Sequence, residues 1–371
     1  ALQAASCEGY LEVVQTLLDK GADVNAQGGD YGNALQAASS QGYLEVVQTL
    51  LDKGADVNAQ GGHYGNALYA ASSQGNLEVV QTLLDKGADV NAQGGDYGNA
   101  LQAASSQGYL EVVQTLLDKG ADVNAQGGHY GNALYAASSQ GNLEVVQTLL
   151  DKGADVNAQG GDYGNALQAA SFRGNLEVVQ TLLDKGADVN AQGGHYGNAL
   201  YAASSQGYLE VVQTLLDKGA DVNTQGGHYG NALYAASSQG NLEVVQTLLD
   251  KGADVNAQGG HYGNALQAAS CEGYLEVVQT LLDKGADVNA QGGKYGNALQ
   301  AASFRGNLEV VQLLLDKGAD VDAQGGKYGN ALQAASHGGN PEIVQLLNLN
   351  GAKMMSRKRS SSTDIRERTK L

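Results

Sequence analysis

The side chains that could act as acids, bases or ligands recur in this sequence at a fixed interval. Glu12, Asp19 and Asp23 each reappear every 33 residues through nearly the whole chain. Two carboxylates can act as a general acid and a general base when they form a pair, whereas these carboxylates recur as single copies in every full repeat. The repetition favours rows of charge on a solvated face, so we predict no catalytic residue and no enzyme activity.

Histidines offer a second chemistry, metal binding. Five of the six histidines occupy the same position of the repeating sequence: His63, His129, His195, His228 and His261. Stacked helix pairs advance roughly 10 Å per repeat, whereas zinc ligands lie about 2.0–2.1 Å from the metal. Two such histidines cannot easily share one ion, so we predict no metal site.

Two further motifs lack the context that their chemistry needs. The segment GGKYGN at residues 292–297 resembles a phosphate-binding loop, but no Ser or Thr follows Lys294 and no strand–loop–helix pattern surrounds it. Cys7 and Cys271 lie eight repeats apart, too far for a disulfide in a stack of helix pairs. We therefore expect no cofactor. Unpaired cysteines are typical of a reducing, intracellular compartment.

The elements that position these residues follow from the repeat. The string ALQAAS or ALYAAS begins at residues 1, 34, 67, 100, 133, 166, 199, 232, 265, 298 and 331. A period of this size is typical of a solenoid, in which each repeat buries its apolar faces only against its neighbours. In the first repeat the pattern predicts short helices over residues 1–6 and 11–19, followed by a turn segment. Asn33 is suited to cap the helix that comes next.

The segment LEVVQTLLDKGADVNAQ, repeated at this period, resembles the ankyrin repeat, and the resemblance covers nearly all of residues 1–350. It implies an all-α ankyrin-repeat solenoid of about eleven helix–turn–helix units with hairpin-like turn segments. We expect the array to occupy residues 1–352. Residues 353–371 are polar, basic and rich in serine, which predicts a disordered tail.

One departure from the ankyrin pattern matters. The family usually opens its first helix with Thr-Pro-Leu-His, whereas this chain has Asn33, Ala34, Leu35 and Gln36. The resemblance implies that other groups replace the hydrogen bonds of the family's Thr and His. The wording GGxYGNALQAAS also resembles the ankyrin arrays of filamentous-fungal proteins, which often follow a NACHT-type nucleotide-binding domain. That likeness, together with a first residue that is not Met, predicts that the chain is part of a larger intracellular protein.

Differences between the repeats fall almost entirely at five positions: the third, seventh, eighth, tenth and thirtieth. The seventh, eighth and thirtieth correspond to the usual partner-facing positions of ankyrin repeats, and a solenoid aligns such positions into a ladder along its concave face. Neutral drift among copied repeats is the alternative. The residues predicted to contact a partner are Asp30, His63, Asp96, His129, Asp162, Phe172, Arg173, His195, His228, His261, Lys294, Phe304, Arg305, Lys327, Tyr69, Tyr135, Tyr201 and Tyr234.

Within this set the two Phe-Arg pairs are the predicted anchors, because aromatic residues and Arg dominate interface energies. The pairs are Phe172 with Arg173 and Phe304 with Arg305. The four tyrosines occupy the third position, where the family's His lies. A half-buried structural role is the alternative for them.

Charge narrows the class of partner. The formal net charge is −18, with −23 on residues 1–352 and +5 on residues 353–371. An acidic body repels nucleic acid and anionic lipid, and its apolar runs are too short to cross a bilayer. We therefore predict a protein partner with a cationic surface, and neither nucleic acid nor membrane as a partner of the repeat body.

The sequence predicts a non-catalytic scaffold for protein–protein recognition, located in the cell interior and mainly in the cytoplasm. The basic tail adds nuclear import as an alternative. Three other interpretations stay open. The chain could be the C-terminal part of a NACHT-type signalling NTPase whose catalytic domain is absent from this sequence, a passive structural spacer, or an engineered consensus array.

Overall fold

The computed structural model describes residues 1–226 and 230–353, which fall into two compact units, Ala1–Gly260 (unit 1) and His261–Leu371 (unit 2). Each unit is built from repeated helix pairs joined by hairpin segments. The expected architecture of repeated helix–turn–helix units with hairpin-like turn segments is therefore confirmed. His228 and residues 354–371 of the tail, both named in the sequence predictions, lie outside the described residues.

The first helix of each repeat is short and rich in alanine. In unit 1 these helices span Leu2–Cys7, Ala34–Gln41, Ala67–Gln74, Ala100–Gln107, Ala133–Gln140, Ala166–Arg173, Ala199–Gln206 and Ala232–Gln239. In unit 2 they span Ala265–Glu272, Ala298–Arg305 and Ala331–Gly338. The predicted cap is confirmed, because the Asn33 side chain accepts a hydrogen bond from the Gln36 amide at 2.8 Å. Gly42 ends the helix with φ +78°, a left-handed conformation that suits glycine.

The second helix carries the larger apolar side chains. In unit 1 these helices span Leu11–Asp19, Leu44–Asp52, Leu77–Asp85, Leu110–Asp118, Leu143–Asp151, Leu176–Asp184, Leu209–Asp217 and Leu242–Asp250. In unit 2 they span Leu275–Asp283, Leu308–Asp316 and Pro341–Leu349. Val46, Val47 and Leu50 are at most 2% exposed. Their spacing of three and four residues places them on one helix face, which packs against the first helices.

Hairpins connect the helix pairs. Two of them form short antiparallel strand pairs, Gln93–Gly94 with Gly98–Asn99 and Gln159–Gly160 with Gly164–Asn165. Others close through a single bridge between two glycines, as at Gly61 and Gly65. The first helices of adjacent repeats can approach closely because Ala37 and Ala38, both fully buried, add little bulk between them.

Polar residues tie adjacent repeats together along the second helices. Lys53 Nζ lies 2.8 Å from Asp19 Oδ1 of the preceding repeat. Asn25 donates its amide to Gly54 O at 3.2 Å and accepts the Asp56 N–H at 2.8 Å. The same ion pair recurs along unit 1 at Lys86–Asp52, Lys119–Asp85, Lys152–Asp118, Lys185–Asp151, Lys218–Asp184 and Lys251–Asp217. The recurring acidic residues thus hold repeats together on a solvated face.

Candidate protein-binding surface

The thirtieth residue of each repeat lies at the tip of its hairpin, and we call these the tip residues. Those within the described residues are all exposed: Asp30, His63, Asp96, His129, Asp162 and His195 in unit 1, and His261, Lys294 and Lys327 in unit 2. Backbone hydrogen bonds join neighbouring tips. The His63 N–H donates to Asp30 O at 2.9 Å, and the Lys327 N–H donates to Lys294 O at 3.0 Å. Residues 33 positions apart therefore become neighbours on one edge.

A tyrosine follows every tip residue, and the sequence predictions did not include it. These hairpin tyrosines are Tyr31, Tyr64, Tyr97, Tyr130, Tyr163 and Tyr196 in unit 1, and Tyr262, Tyr295 and Tyr328 in unit 2. Successive rings meet, with centroids 5.7 Å apart for Tyr163 and Tyr196 and 6.2 Å apart for Tyr295 and Tyr328. The signal in the sequence that could have indicated these tyrosines is an invariant aromatic residue beside each variable tip. The predictions were based on positions that differ between repeats, and these tyrosines do not differ.

The third residue of each repeat determines how the hairpin is held. In a Gln-type repeat, such as 34–66, Gln36 is fully buried and accepts the Asn33 N–H at 3.1 Å. Its amide nitrogen donates to Ala59 O and Gly65 O, each at 3.0 Å. One side chain thus caps its helix and anchors the following hairpin. These bonds stand where the family's Thr and His would act.

In a Tyr-type repeat the third residue is tyrosine, and these are the four tyrosines predicted to contact a partner: Tyr69, Tyr135, Tyr201 and Tyr234. They are only 2–4% exposed. The Tyr69 hydroxyl accepts the Tyr97 N–H at 3.2 Å, and the Tyr135 hydroxyl accepts the Tyr163 N–H at 3.0 Å. Rings buried in this way offer a partner little surface, so their burial supports the structural alternative. Burial also raises the pKa of Tyr69 and of Tyr135 to about 12.

The predicted anchor Phe172 lies against two hairpin tyrosines. Its ring centroid is 4.6 Å from that of Tyr163 and 4.7 Å from that of Tyr196, with interplanar angles of 27° in both pairs. The ring is half-buried, while Arg173 is exposed with its guanidinium 5.8 Å from the Phe172 centroid. Much of the Phe172 ring is therefore covered by Tyr163 and Tyr196, whereas the positive charge of Arg173 is exposed.

The second predicted pair, in unit 2, is held differently. Phe304 stacks on Tyr328 at 4.5 Å. Arg305 donates from Nε to the Cys271 sulfur at 3.3 Å and lies 3.5 Å from Glu272 Oε1. Burial raises the pKa of the Cys271 thiol. Arg305 is thus engaged by the preceding repeat, although it remains exposed at its edge.

A cleft of about 530 Å³ opens beside the tips of unit 1. Its lining includes Tyr64 and Tyr97, the buried Tyr69, and the tip residues Asp30 and Asp96. The surface beside the hairpins therefore combines aromatic walls with an acidic rim. The sequence predictions included Asp30, His63, Asp96 and Tyr69 of this lining, but not Tyr64 or Tyr97.

Within residues 1–226 and 230–353, no group of three or more His, Cys, Asp or Glu side chains is placed to hold a metal ion. Cys7 and Cys271 are both free thiols. Among the same residues, no helix is long and apolar enough to cross a membrane.

Comparison with known proteins identifies the family. The family model for ankyrin repeats in three copies matches residues 1–61, 35–127, 68–160, 102–193, 133–226, 200–292 and 266–358. The chain belongs to the ankyrin repeat family. A crystal structure of the human ASB11 ankyrin repeat domain is similar, with 28% identity and a TM-score of 0.53, over 59% of this chain and 98% of that one. No curated protein matches the sequence.

Proposed function

We propose that this ankyrin-repeat chain is a non-catalytic scaffold that recognises a protein with a cationic surface through its hairpin tips and the ends of its first helices. Ankyrin repeats are in general protein–protein interaction modules, and their fold is typically a non-enzymatic scaffold. The observation that carries the proposal is the tip row. Its residues vary between repeats and are exposed, and in unit 1 backbone hydrogen bonds join successive tips in pairs: His63 with Asp30, His129 with Asp96 and His195 with Asp162.

The opposite surface supports this choice of face. Along the second helices, Asp19 and Lys53 pair with each other, and Asn25 bridges two repeats through its side chain. These polar groups recur unchanged in almost every repeat, as contacts that hold the array together require. Three of the five variable positions, the seventh, eighth and thirtieth, lie instead at the ends of the first helices and at the hairpin tips, which favours that edge as the place where a partner is distinguished.

Charge supports a cationic partner. Residues 1–260 contain 28 acidic and 9 basic residues, a formal charge of −19. Three of the exposed acidic residues, Asp30, Asp96 and Asp162, are tip residues of alternate repeats. Complementary charge speeds the encounter of two proteins and suppresses wrong partners. The tip row of unit 1 therefore suits lysine- or arginine-rich surfaces.

The test is a selection from a random displayed-peptide library against the full chain, followed by calorimetric affinities of the enriched peptides. We expect enrichment of basic peptides that bind more weakly at 0.5 M than at 0.1 M salt, since the Debye length is about 10 Å at 0.1 M and shorter above it. Replacing Asp30, Asp96 and Asp162 together by Lys should weaken binding at least tenfold.

The matched control reverses three charges on the other face of the same repeats. Glu12, Glu78 and Glu144 are exposed in the first turn of the second helices. Their joint replacement by Lys changes the net charge equally and should leave binding within about twofold. Equal weakening by both triple variants would contradict a defined binding face. Enrichment of acidic or neutral peptides would contradict the cationic partner.

We also propose that the chain is the interaction part of a larger intracellular protein. The support is the likeness of its repeat wording to fungal arrays, in which a NACHT-type domain often precedes the repeats. The gene sequence upstream of Ala1 tests this. A nucleotide-binding loop there would support a signalling NTPase, and its absence would leave a recognition array or a spacer. Nuclear import through the basic tail remains a prediction.

A further inference from the structure

We propose that the cleft at repeat 67–99 binds an aromatic side chain that is followed by a basic residue on the partner protein. This inference rests on the recognition function proposed above and assigns its central contact. The cleft has aromatic walls, since Tyr64 and Tyr97 flank it and Tyr69 and Tyr109 add to its lining. Its volume of about 530 Å³ accommodates a phenylalanine side chain with its neighbouring backbone.

The molecule contains a template for this occupant. Ser73 is the seventh residue of its repeat, and it lines the cleft between the hairpin tyrosines Tyr64 and Tyr97. The seventh residue of repeat 166–198 is Phe172, whose ring contacts the corresponding tyrosines at 4.6 and 4.7 Å. Where the chain supplies a phenylalanine at this position, the ring stacks on hairpin tyrosines. Where it supplies serine, as at Ser73, the seventh residue places no ring over the hairpin tyrosines, and the cleft lies there.

Unit 2 repeats the arrangement independently. Its seventh-position phenylalanine, Phe304, lies 5.4 Å from Tyr295 and 4.5 Å from Tyr328, measured between ring centroids. Aromatic pairs at such separations stabilise beyond the burial of their surface. In both occurrences, each in a Gln-type repeat, the phenylalanine ring lies against the hairpin tyrosines of its own and of the preceding repeat, and the cleft offers two such tyrosines, Tyr64 and Tyr97.

Charge selects the residue beside the aromatic ring. Two exposed carboxylates, those of Asp30 and Asp96, lie on the rim of the cleft. In the template, Phe172 is followed by the exposed Arg173, whose guanidinium lies 5.8 Å from the Phe172 ring centroid. A peptide that places an aromatic ring in the cleft would bring its next side chain to this acidic rim. A basic residue is favoured there by complementary charge.

The neighbouring repeat makes this cleft different from its copy. Residues 34–99 and 100–165 are identical in sequence, so Ser139 stands in the same local sequence as Ser73. The next repeat differs: Gln107, which lines the cleft at Ser73, is replaced by Arg173 at the equivalent position beside Ser139. A cation there repels a basic peptide. The two serines therefore provide a matched pair of positions.

The test is calorimetric titration of the full chain with the peptide acetyl-Ala-Ser-Phe-Arg-Gly-Asn-amide. We expect saturable binding that weakens about tenfold when its Phe is replaced by Ala, or its Arg by Glu. Ser73→Phe places a ring beside the cleft from within and should weaken binding at least tenfold. Ser139→Phe makes the same change in an identical repeat and should leave the affinity within about twofold.

A second variant tests the proposal even if the Ser73→Phe chain does not fold. Asp30→Asn with Asp96→Asn leaves the aromatic walls intact, and it should weaken the Arg peptide but not the Glu peptide. The proposal is overturned if wild-type chain shows no binding up to about 1 mM peptide, if folded Ser73→Phe binds normally, or if Ser139→Phe weakens binding as much. It is also overturned if N-acetylphenylalaninamide binds as tightly as the peptide, because a small aromatic molecule would then be the occupant.

These outcomes are separable from failure of the proposed function. If the lysine variants of the tip row lose their selected peptides while the Phe-Arg peptide does not bind, the recognition surface stands and the cleft assignment falls. If neither the library nor the peptide binds, the recognition function itself fails.

Discussion

Repeats 67–99 and 100–132 differ at only three of their 33 positions, yet they hold their hairpins in different ways. The first has Tyr69, whose ring is buried and whose hydroxyl accepts a backbone N–H of the following hairpin. The second has Gln102, which makes the capping bond and two further bonds to Ala125 O and Gly131 O. The same frame thus tolerates two internal designs, which alternate along unit 1 from repeat 34–66 to repeat 199–231.

This difference shows how the buried third residue affects the arrangement of the hairpin tyrosines at the surface. Across Gln-type repeats, successive hairpin tyrosines approach, as Tyr97 and Tyr130 do at 5.2 Å. Across the Tyr-type repeat, the buried ring of Tyr69 comes between, 6.4 Å from Tyr64 and hydrogen-bonded to the backbone of Tyr97. The cleft lies at this place. A buried residue therefore shapes an exposed cleft.

Removing the third-position glutamine of a Gln-type repeat should have the largest effect on the free energy of unfolding. Gln102→Ala removes three hydrogen bonds of a side chain that is 1% exposed, and it leaves their backbone partners without that amide. We expect a loss of about 2–3 kcal/mol in the free energy of unfolding, measured by urea unfolding followed by circular dichroism. Gln102→Tyr, which installs the other design, should lose less than half as much.

The control for this change lies in the same repeat. Gln114 is exposed on the second helix, and Gln114→Ala should stay within about 0.5 kcal/mol of the parent chain. Equal losses for Gln102→Ala and Gln114→Ala would show that the buried amide does not anchor the hairpin.

High pH should lower the stability of the Tyr-type repeats, in which the third residue is a buried tyrosine. Tyr69 and Tyr135 have their pKa raised by burial to about 12, against about 10 in an unfolded chain. Between these values the folded state keeps more protons than the unfolded state, so the free energy of unfolding falls as pH rises. This contribution is intact below pH 10 and lost through pH 12. At pH 11 the loss should reach about 1 kcal/mol per tyrosine.

Absorbance at 295 nm checks the titration directly. The folded chain should show a late-titrating class of tyrosines, and the joint variant Tyr69→Phe, Tyr135→Phe should reduce that class and the stability loss between pH 9 and pH 11. If all 19 tyrosines titrate together near pH 10 in the folded chain, the buried design is wrong.

The two repeats also differ at the tenth position, where we expect a smaller effect on stability. Asn76 donates its amide to Ser39 O at 2.9 Å and to Ser40 O at 3.1 Å, both in the preceding repeat. In the next repeat this residue is Tyr109, whose ring lies directly against Gly75. We expect Asn76→Ala to cost about 1 kcal/mol. Asn76→Tyr should recover part of that loss by covering Gly42, and thermal unfolding of the three chains compares them.

Sequence reasoning reached the frame of the fold because the frame is local. The apolar spacing in Leu11–Asp19 gave the second helix, and Asn33 caps as its side chain predicts. It did not reach the hairpin tyrosines, because residues that never vary offer no contrast within one chain. The burial of Tyr69 was also undecided from sequence, since it depends on a hydrogen bond to a residue 28 positions ahead.

The smallest effect concerns the surface that the two repeats share. Lys119 pairs with Asp85 and Lys152 pairs with Asp118, each at 2.8 Å, with both side chains of each pair about half exposed or more. Exposed pairs of this kind contribute about 0.2–0.5 kcal/mol.

If the two designs differ only beneath the hairpins, double-mutant cycles using Asp→Asn and Lys→Gln should give equal coupling energies for both pairs. Both energies should shrink in 1 M salt, where the Debye length is about 3 Å. Among the described residues Lys20 forms no such ion pair, so Lys20→Gln supplies the baseline for losing a lysine without losing this pair. Coupling energies that differ by more than about 0.5 kcal/mol would show that the third-position residue alters the second helices as well, and the comparison would then extend to both faces.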